Sequence, residues 1–299
     1  MSSPAEALAT LNRIRQCPDG SLLSPEETAV RLGTPVEVVR AAIEKGRWGW
    51  QIQLGLLEYS HRHGIATHES FAIHNIELTN YCNLQCSYCP HHRMARPKGH
   101  MSAEILAKCL EHYVRRPGLP RLVIHHFGEP LLHPELEARL TQIAQAGVDI
   151  QMSSNGLLLQ KKLPILLAIP CRIFITLSVH QWADQGPEAY FKALTDWQAQ
   201  VAGSNLTITQ AFNVSQTQFH FHAWTGGRET EWDYASHCDF LRNNMGSVLW
   251  NGDMASCCLD CDGESVFANM TDVTAANAST RPWRGCRGCD IPGHRGYRE

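Results

Sequence analysis

The sequence predicts an α/β fold organised around a parallel sheet, and two features carry that expectation. From residue 71 onward, short apolar runs alternate with amphipathic helical stretches, the pattern of consecutive βα units. The first apolar run leads directly into a cysteine-rich loop, which is placed as barrel enzymes place their chemistry, at the C-terminal ends of strands. The strands drawn from this pattern are Ala72–Leu78, Leu122–Phe127, Asp149–Ser153, Arg172–Val179 and Leu206–Phe212. A sixth falls at Gln218–Ala223, where the Phe219/Phe221 alternation reads equally well as an edge strand. Helices between the strands start near Ser102, Pro134, Gln160 and Pro187.

Before the sheet, three helix starts are legible. Ser3-Pro4-Ala5-Glu6, Ser24-Pro25-Glu26-Glu27 and Thr34-Pro35-Val36-Glu37 each offer a capping hydroxyl, a proline at the first helical position and a glutamate at the third. Gly33 and Gly46 supply stops, and Trp48 to Leu57 form an aromatic, apolar stretch able to dock these helices onto the rest. Residues 1–70 are thus expected to form a small helical region resembling a helix-turn-helix, residues 71–223 the sheet, and residues 224–299 a separate small module. In that last segment Gly, Asn, Asp and Cys become frequent, and hairpin strands are expected between Ser247 and Met254 and between Glu264 and Ala268.

Composition narrows the function. The chain has 26 Lys+Arg against 29 Asp+Glu, a formal net charge of −3, so no overall field favours nucleic acid or an anionic membrane. Residues 1–70 hold seven Lys/Arg and eight Asp/Glu, too balanced for a DNA reader, which leaves a packing or substrate-covering role for the helices. No apolar run reaches the ~18 residues of a membrane span and no signal core opens the chain, so the expected location is the cytoplasm. There, clustered cysteines indicate metal rather than disulfides, and nine of the twelve cysteines fall at 82–89 and 238–289.

Cys82, Cys86 and Cys89 follow the first strand with C-x3-C-x2-C spacing, within Thr79-Asn80-Tyr81-Cys82-Asn83-Leu84-Gln85-Cys86-Ser87-Tyr88-Cys89. Three thiolates leave one iron of a cubane free for a non-protein ligand, whereas a structural zinc site would need His91 or His92 as a fourth ligand. The motif, with aromatic Tyr88 before the last cysteine, resembles the signature of the radical S-adenosylmethionine (SAM) superfamily. The resemblance covers roughly residues 71–215 and implies a partial (β/α)6 TIM-like barrel and a [4Fe-4S] cluster whose open iron site binds SAM. It also implies SAM contacts from Tyr88, from Gly128, Glu129 and Pro130 in a segment similar to the family's Gly-Gly-Glu run, and from Ser153, Asn155 and Ser178. The first glycine of that run is replaced here by Phe127.

The remaining clustered cysteines allow two divisions. Cys258-x2-Cys261 with Cys286-x2-Cys289 would make a zinc ribbon, although the 24 residues between the pairs exceed the usual gap. Cys238, then Gly252, Cys257, Cys286 and Cys289 resemble instead the Twitch module, the shortened SPASM domain, which implies that Cys238, Cys257, Cys286 and Cys289 hold one auxiliary [4Fe-4S] cluster. Trp224-Thr225-Gly226 and Asp262-Gly263-Glu264 also look like that module. If Cys257 and Cys258 share a strand they face opposite ways and cannot both be ligands. Cys258 and Cys261 are then either small buried hydrophobes or hydrogen-atom donors to a substrate radical.

The resemblance implies an oxidoreductase or epimerase that abstracts hydrogen from an unactivated C–H bond. The substrate is either a carbohydrate-like small natural product or, as for peptide maturases of the family, a residue of a ribosomally made peptide. Residues 1–70 show no convincing strands of a peptide-binding winged element, which favours the small molecule. A flavodoxin- or ferredoxin-type electron donor is implied. A non-catalytic iron-sulfur or helix-turn-helix protein would have no need of the SAM-binding segments.

Overall fold

The computed structural model describes residues 4–46, 52, 55–56, 59, 71–86, 89–115, 119–211, 238–272 and 280. The expected strand at Gln218–Ala223, the Trp224-Thr225-Gly226 segment, Tyr88, Cys286 and Cys289 lie outside these residues.

Three helices come first: α1 (Pro4–Arg15), α2 (Pro25–Leu32) and α3 (Val36–Lys45). At α2 the capping box is complete, with Ser24 Oγ accepting from Glu27 N at 3.2 Å and Glu27 Oε2 accepting from Ser24 N at 2.8 Å. Gly33 and Gly46 close α2 and α3 at φ 64° and 59°, a left-handed geometry that glycine adopts without strain. Thr34 departs from its expected role. Pro35 caps α3 with no side-chain hydrogen bond, and in the three-residue link the Thr34 amide donates to Ala29 O at 3.1 Å, closing α2. Leu11, Ile14, Leu32, Val39, Ile52 and Leu56 bury a core of their own, apart from that of the sheet.

The sheet contains β1 (Ala72–Ile76), β2 (Leu122–Val123), β3 (Ile150–Ser154), β4 (Ile173–Leu177) and β5 (Leu206–Gln210). Between them run α4 (Ala103–Arg115), α5 (Leu136–Gln145), α6 (Leu159–Ala168) and α7 (Pro187–Gln200). Strands β1 to β5 pair in parallel, in chain order. After the short helix α8 (Asp239–Arg242), β6 (Met245–Val248) joins the other side of β1, also in parallel. β7 (Asp253–Ala255) and β8 (Val266–Asn269) then extend the same sheet antiparallel. The C-terminal segment is therefore continuous with the sheet through β1.

Register sorts the side chains. Ile150, Ile173 and Leu206 form one row and Met152, Ile175 and Ile208 the next, all buried with Leu140, Ile143, Leu163, Leu166 and Leu194 of the covering helices. Truncating any one of these row residues to alanine costs about 2–5 kcal/mol. The opposite face carries Gln151, Phe174 and Thr207, then Ser153, Thr176 and Thr209. None of these six is fully buried, so a largely polar face lies opposite the helix-packed one. Tyr190 joins the layers: its hydroxyl donates to Leu177 O and accepts from Ala211 N, both at 2.8 Å, linking α7 to the ends of β4 and β5.

Candidate active site

All parallel strands deliver their C-terminal ends to one edge, and the polar residues singled out in the sequence gather there. After β1 the chain runs through Glu77 to the cysteine loop. Asn80 shapes this loop, with its Oδ1 accepting from Gly99 N at 2.7 Å and its Nδ2 donating to Pro97 O at 2.9 Å. Cys82, Cys86 and Cys89 are half-buried thiols in this one loop, none of them in a disulfide. Burial pushes the Cys82 thiol up, and charge on Glu129, Cys86 and Cys89 adds to the effect. Burial likewise raises Cys89, with Cys86 contributing. Three thiolates this near one another repel, and an iron cluster bound between them would remove that repulsion. Among the described residues, no three His, Cys, Asp or Glu side chains converge in metal-binding geometry.

After β2, Gly128 lies at φ 126°, and a Cβ there would fall 2.5 Å from Thr79 O and 2.9 Å from Asn80 Cα. Only glycine brings this backbone against the cysteine loop, and the approach is fixed by Glu129 N donating to Tyr81 O at 2.8 Å. The Glu129 side chain is buried and turned inward. It accepts from Leu131 N at 3.1 Å, Ser154 Oγ at 3.0 Å and Asn155 N at 2.8 Å. Burial holds its carboxyl above the usual range although these bonds pull it down. Pro130 is buried at the start of a 3-10 turn. Asn155 Nδ2 donates to Asn83 Oδ1 at 2.8 Å, between Cys82 and Cys86, and Ser178 N donates to Ser154 O at 2.8 Å. Cysteine loop, Gly128–Pro130, Ser153–Asn155 and Ser178 thus form one connected edge.

The C-terminal cysteines are partly placed. Cys238 is half-buried just before α8, and Gly252 makes the β6–β7 turn at φ 90°. Cys257 and Cys258 lie in the turn after β7 rather than on a strand, so the facing argument for separating them does not apply: β7 ends at Ala255. Cys257 Sγ accepts from Leu259 N at 3.3 Å. Cys258 stays half-exposed and Cys261 is buried. Burial pushes the Cys261 thiol up to about 12, with smaller effects from Asp262, Arg96, Cys89 and Glu77.

Sequence reasoning missed the polar residues that join the two halves of this edge. Asn75 accepts from Ser247 Oγ at 2.7 Å and donates to His125 O at 2.8 Å, bridging β6, β1 and the segment after β2. His126 donates from Nε2 to Asp260 O at 3.1 Å. Glu77 is buried and paired with Arg96. An acidic residue inside the apolar run Asn75-Ile76-Glu77-Leu78 was the available signal, since a buried carboxylate requires a partner.

A half-buried cysteine loop thus lies at the C-terminal edge of a parallel sheet, next to a glycine-dependent backbone approach. Residues 76–196 match the family model described as the Radical SAM superfamily. Over 84 residues the chain is 29% identical to the tungsten-containing aldehyde ferredoxin oxidoreductase cofactor-modifying protein of Pyrococcus furiosus, a match that spans 28% of this chain and 24% of that protein. Among solved structures it is similar to BtrN in complex with AdoMet and 2-DOIA, at 19% identity and TM-score 0.47 over 67% of this chain and 78% of that one. It is also similar to Streptococcus suis SuiB bound to precursor peptide SuiA, at 12% identity and TM-score 0.40 over 92% and 72%. The chain carries a radical SAM domain, and that family uses a [4Fe-4S] cluster together with SAM. No helix among the described residues is long and apolar enough to cross a membrane.

Proposed function

We propose that this radical SAM enzyme removes a hydrogen atom from an unactivated C–H bond of a carbohydrate-like small natural product, with oxidation or epimerisation as the outcome. The observation that carries the substrate class is the polar sheet face turned away from the covering helices. Gln151, Ser153, Thr176, Thr207 and Thr209 line it below the cysteine edge, and hydroxyl and amide groups spaced along strands suit a ligand with several hydroxyls. The relative in Pyrococcus furiosus is named for modifying a cofactor, which agrees with a small-molecule substrate.

In this reading Cys82, Cys86 and Cys89 hold the cluster that, with SAM bound, supplies a 5′-deoxyadenosyl radical. Gly128–Pro130, Ser153, Asn155, Ser178 and Tyr88 contact SAM. The Glu129 carboxylate is held in place for that contact by Leu131 N, Ser154 Oγ and Asn155 N and keeps acceptor capacity of its own. Cys238, Cys257, Cys286 and Cys289 hold an auxiliary [4Fe-4S] cluster. Cys258, half-exposed, has the access a hydrogen-atom donor needs, whereas Cys261 is buried in electrostatic reach of Cys89. The reductant is a flavodoxin- or ferredoxin-type protein, in a cytoplasmic setting.

The test is anaerobic reconstitution with iron, sulfide and zinc analysis, followed by addition of reductant and SAM. Two cubanes give about eight irons, falling to about four in a Cys82/Cys86/Cys89→Ala variant. Failure of the wild type to form 5′-deoxyadenosine would overturn the chemistry. Zinc in the residual site would overturn the auxiliary cluster. With a candidate polyol in heavy water, deuterium retained at carbon indicates return of hydrogen from a thiol, and a carbonyl product indicates oxidation.

A further inference from the structure

The loop from Cys257 to Asp262 is held against the radical SAM domain at three successive residues. His126 donates to Asp260 O at 3.1 Å, Arg96 Nε donates to Cys261 O at 2.6 Å, and Ala95 N donates to Asp262 Oδ1 at 2.7 Å. Two of these three contacts come from Ala95 and Arg96, a few residues after Cys89 in the chain. Arg96 is the centre of the arrangement. Its terminal nitrogens grip both carboxylate oxygens of Glu77, with Nη1 at 2.7 Å from Oε2, while Nε is left for Cys261 O. Glu77 is fully buried and the Arg96 side chain nearly so. The same carboxylate accepts from Trp250 N at 3.3 Å. The Trp250 ring packs so closely on Gly99 that a Cβ there would come within 2.5 Å of it, and its Nε1 donates to Pro97 O at 3.2 Å.

Such a device exceeds what the fold requires. β6 is already fixed to β1 along its length, so the β6–β7–β8 ribbon stays in place without Arg96. What β-pairing does not fix is the Cys257–Asp262 turn, which leaves the ribbon at Ala255 and re-enters it at Val266. A planar fork committed on two sides to one carboxylate has a single orientation, and that orientation sets where the Cys261 carbonyl must sit.

We propose that Arg96, oriented by Glu77, is a positioning residue that registers the Cys257–Asp262 turn on the cysteine loop, and thereby fixes the separation between the radical SAM cluster and the thiols of Cys257 and Cys258. The inference rests on the site being a radical SAM centre with an auxiliary cluster bound through Cys257. It predicts that loss of Arg96 releases the turn while SAM chemistry continues.

The experiment uses reconstituted holoenzyme of the wild type, Arg96→Lys, Arg96→Met and the double variant Glu77→Gln/Arg96→Met, which leaves no buried carboxylate unpaired if the single variant fails to fold. Iodoacetamide labelling of Cys261 is read by peptide mass spectrometry. Electron paramagnetic resonance of the reduced protein with SAM reads both clusters, and 5′-deoxyadenosine formation with dithionite reads SAM cleavage. The expected result for the methionine variants is labelling of Cys261 at least tenfold faster than in the wild type, an altered auxiliary signal and 5′-deoxyadenosine formation within about threefold. The lysine variant, which keeps the charge but loses the fork, falls between. Unchanged Cys261 labelling in both methionine variants overturns the inference. A wild type without an auxiliary signal but with labelling that responds to Arg96 overturns the cluster assignment and leaves the Arg96 contact standing.

Discussion

Nδ1 of the His125 imidazole accepts the backbone N–H of Ser153 at 3.0 Å, filling the place of a ladder carbonyl where β2 ends before β3 does. An acceptor nitrogen carries no proton, so His125 is the Nε2–H tautomer. Burial holds it neutral, with its pKa lowered to about 3, and the neighbouring His74 and His126 act in the same direction.

This gives a pH dependence. The folded pKa lies below the ordinary 6.5, so between these values the unfolded chain binds more protons and stability rises with pH. Stability from His125 is fully present above about pH 6.5 and is lost as pH falls towards 3, with a slope of up to ~1.4 kcal/mol per pH unit from this one group. Urea unfolding at pH 7.5, 6.5 and 5.5 should show the decline, and His125→Gln should flatten it. Equal slopes for the two proteins would contradict the assignment.

Gly128→Ala should damage the site more than a single methyl suggests. Its φ of 126° and the 2.5 Å approach of a Cβ to Thr79 O place the strain at about 1–3 kcal/mol or more. SAM affinity measured by equilibrium dialysis should fall at least tenfold while the helical circular dichroism signal persists. Wild-type affinity would mean that the backbone at 128 does not set the SAM site.

Tyr190→Phe removes a hydroxyl that both donates and accepts inside the core. Leaving Leu177 O and Ala211 N without that partner should cost about 1–3 kcal/mol, seen as a lower urea midpoint with an unchanged m-value.

Replacing Gln151 and Thr207 together by Leu and Val keeps their volume and removes polar groups from the sheet face opposite the helices. On the carbohydrate-like reading, turnover of a polyol substrate should lose at least tenfold in kcat/KM. Formation of 5′-deoxyadenosine without substrate should stay near the wild-type rate. Undiminished kcat/KM would remove the argument for a hydroxyl-rich ligand.

By itself the sequence determined the parallel βα order, the helix caps at Ser24, Gly33 and Gly46, and the cysteine loop after the first strand. Each depends on residues close in the chain: apolar periodicity, a hydroxyl three residues before a glutamate, thiols four and three residues apart. Thr34 shows the limit of that reading: α3 is capped at Pro35 instead, and the Thr34 amide closes the helix before it. Tertiary structure decided what long-range pairing decides. β6 lies parallel to β1, Asn75 bridges β6, β1 and the segment after β2, the Glu129 carboxylate turns inward to Ser154 and Asn155, and Arg96 joins Glu77 to Cys261. A carboxylate or guanidinium in a sequence can have many partners, and burial selects one of them because an unpaired charge inside the protein is too costly to keep.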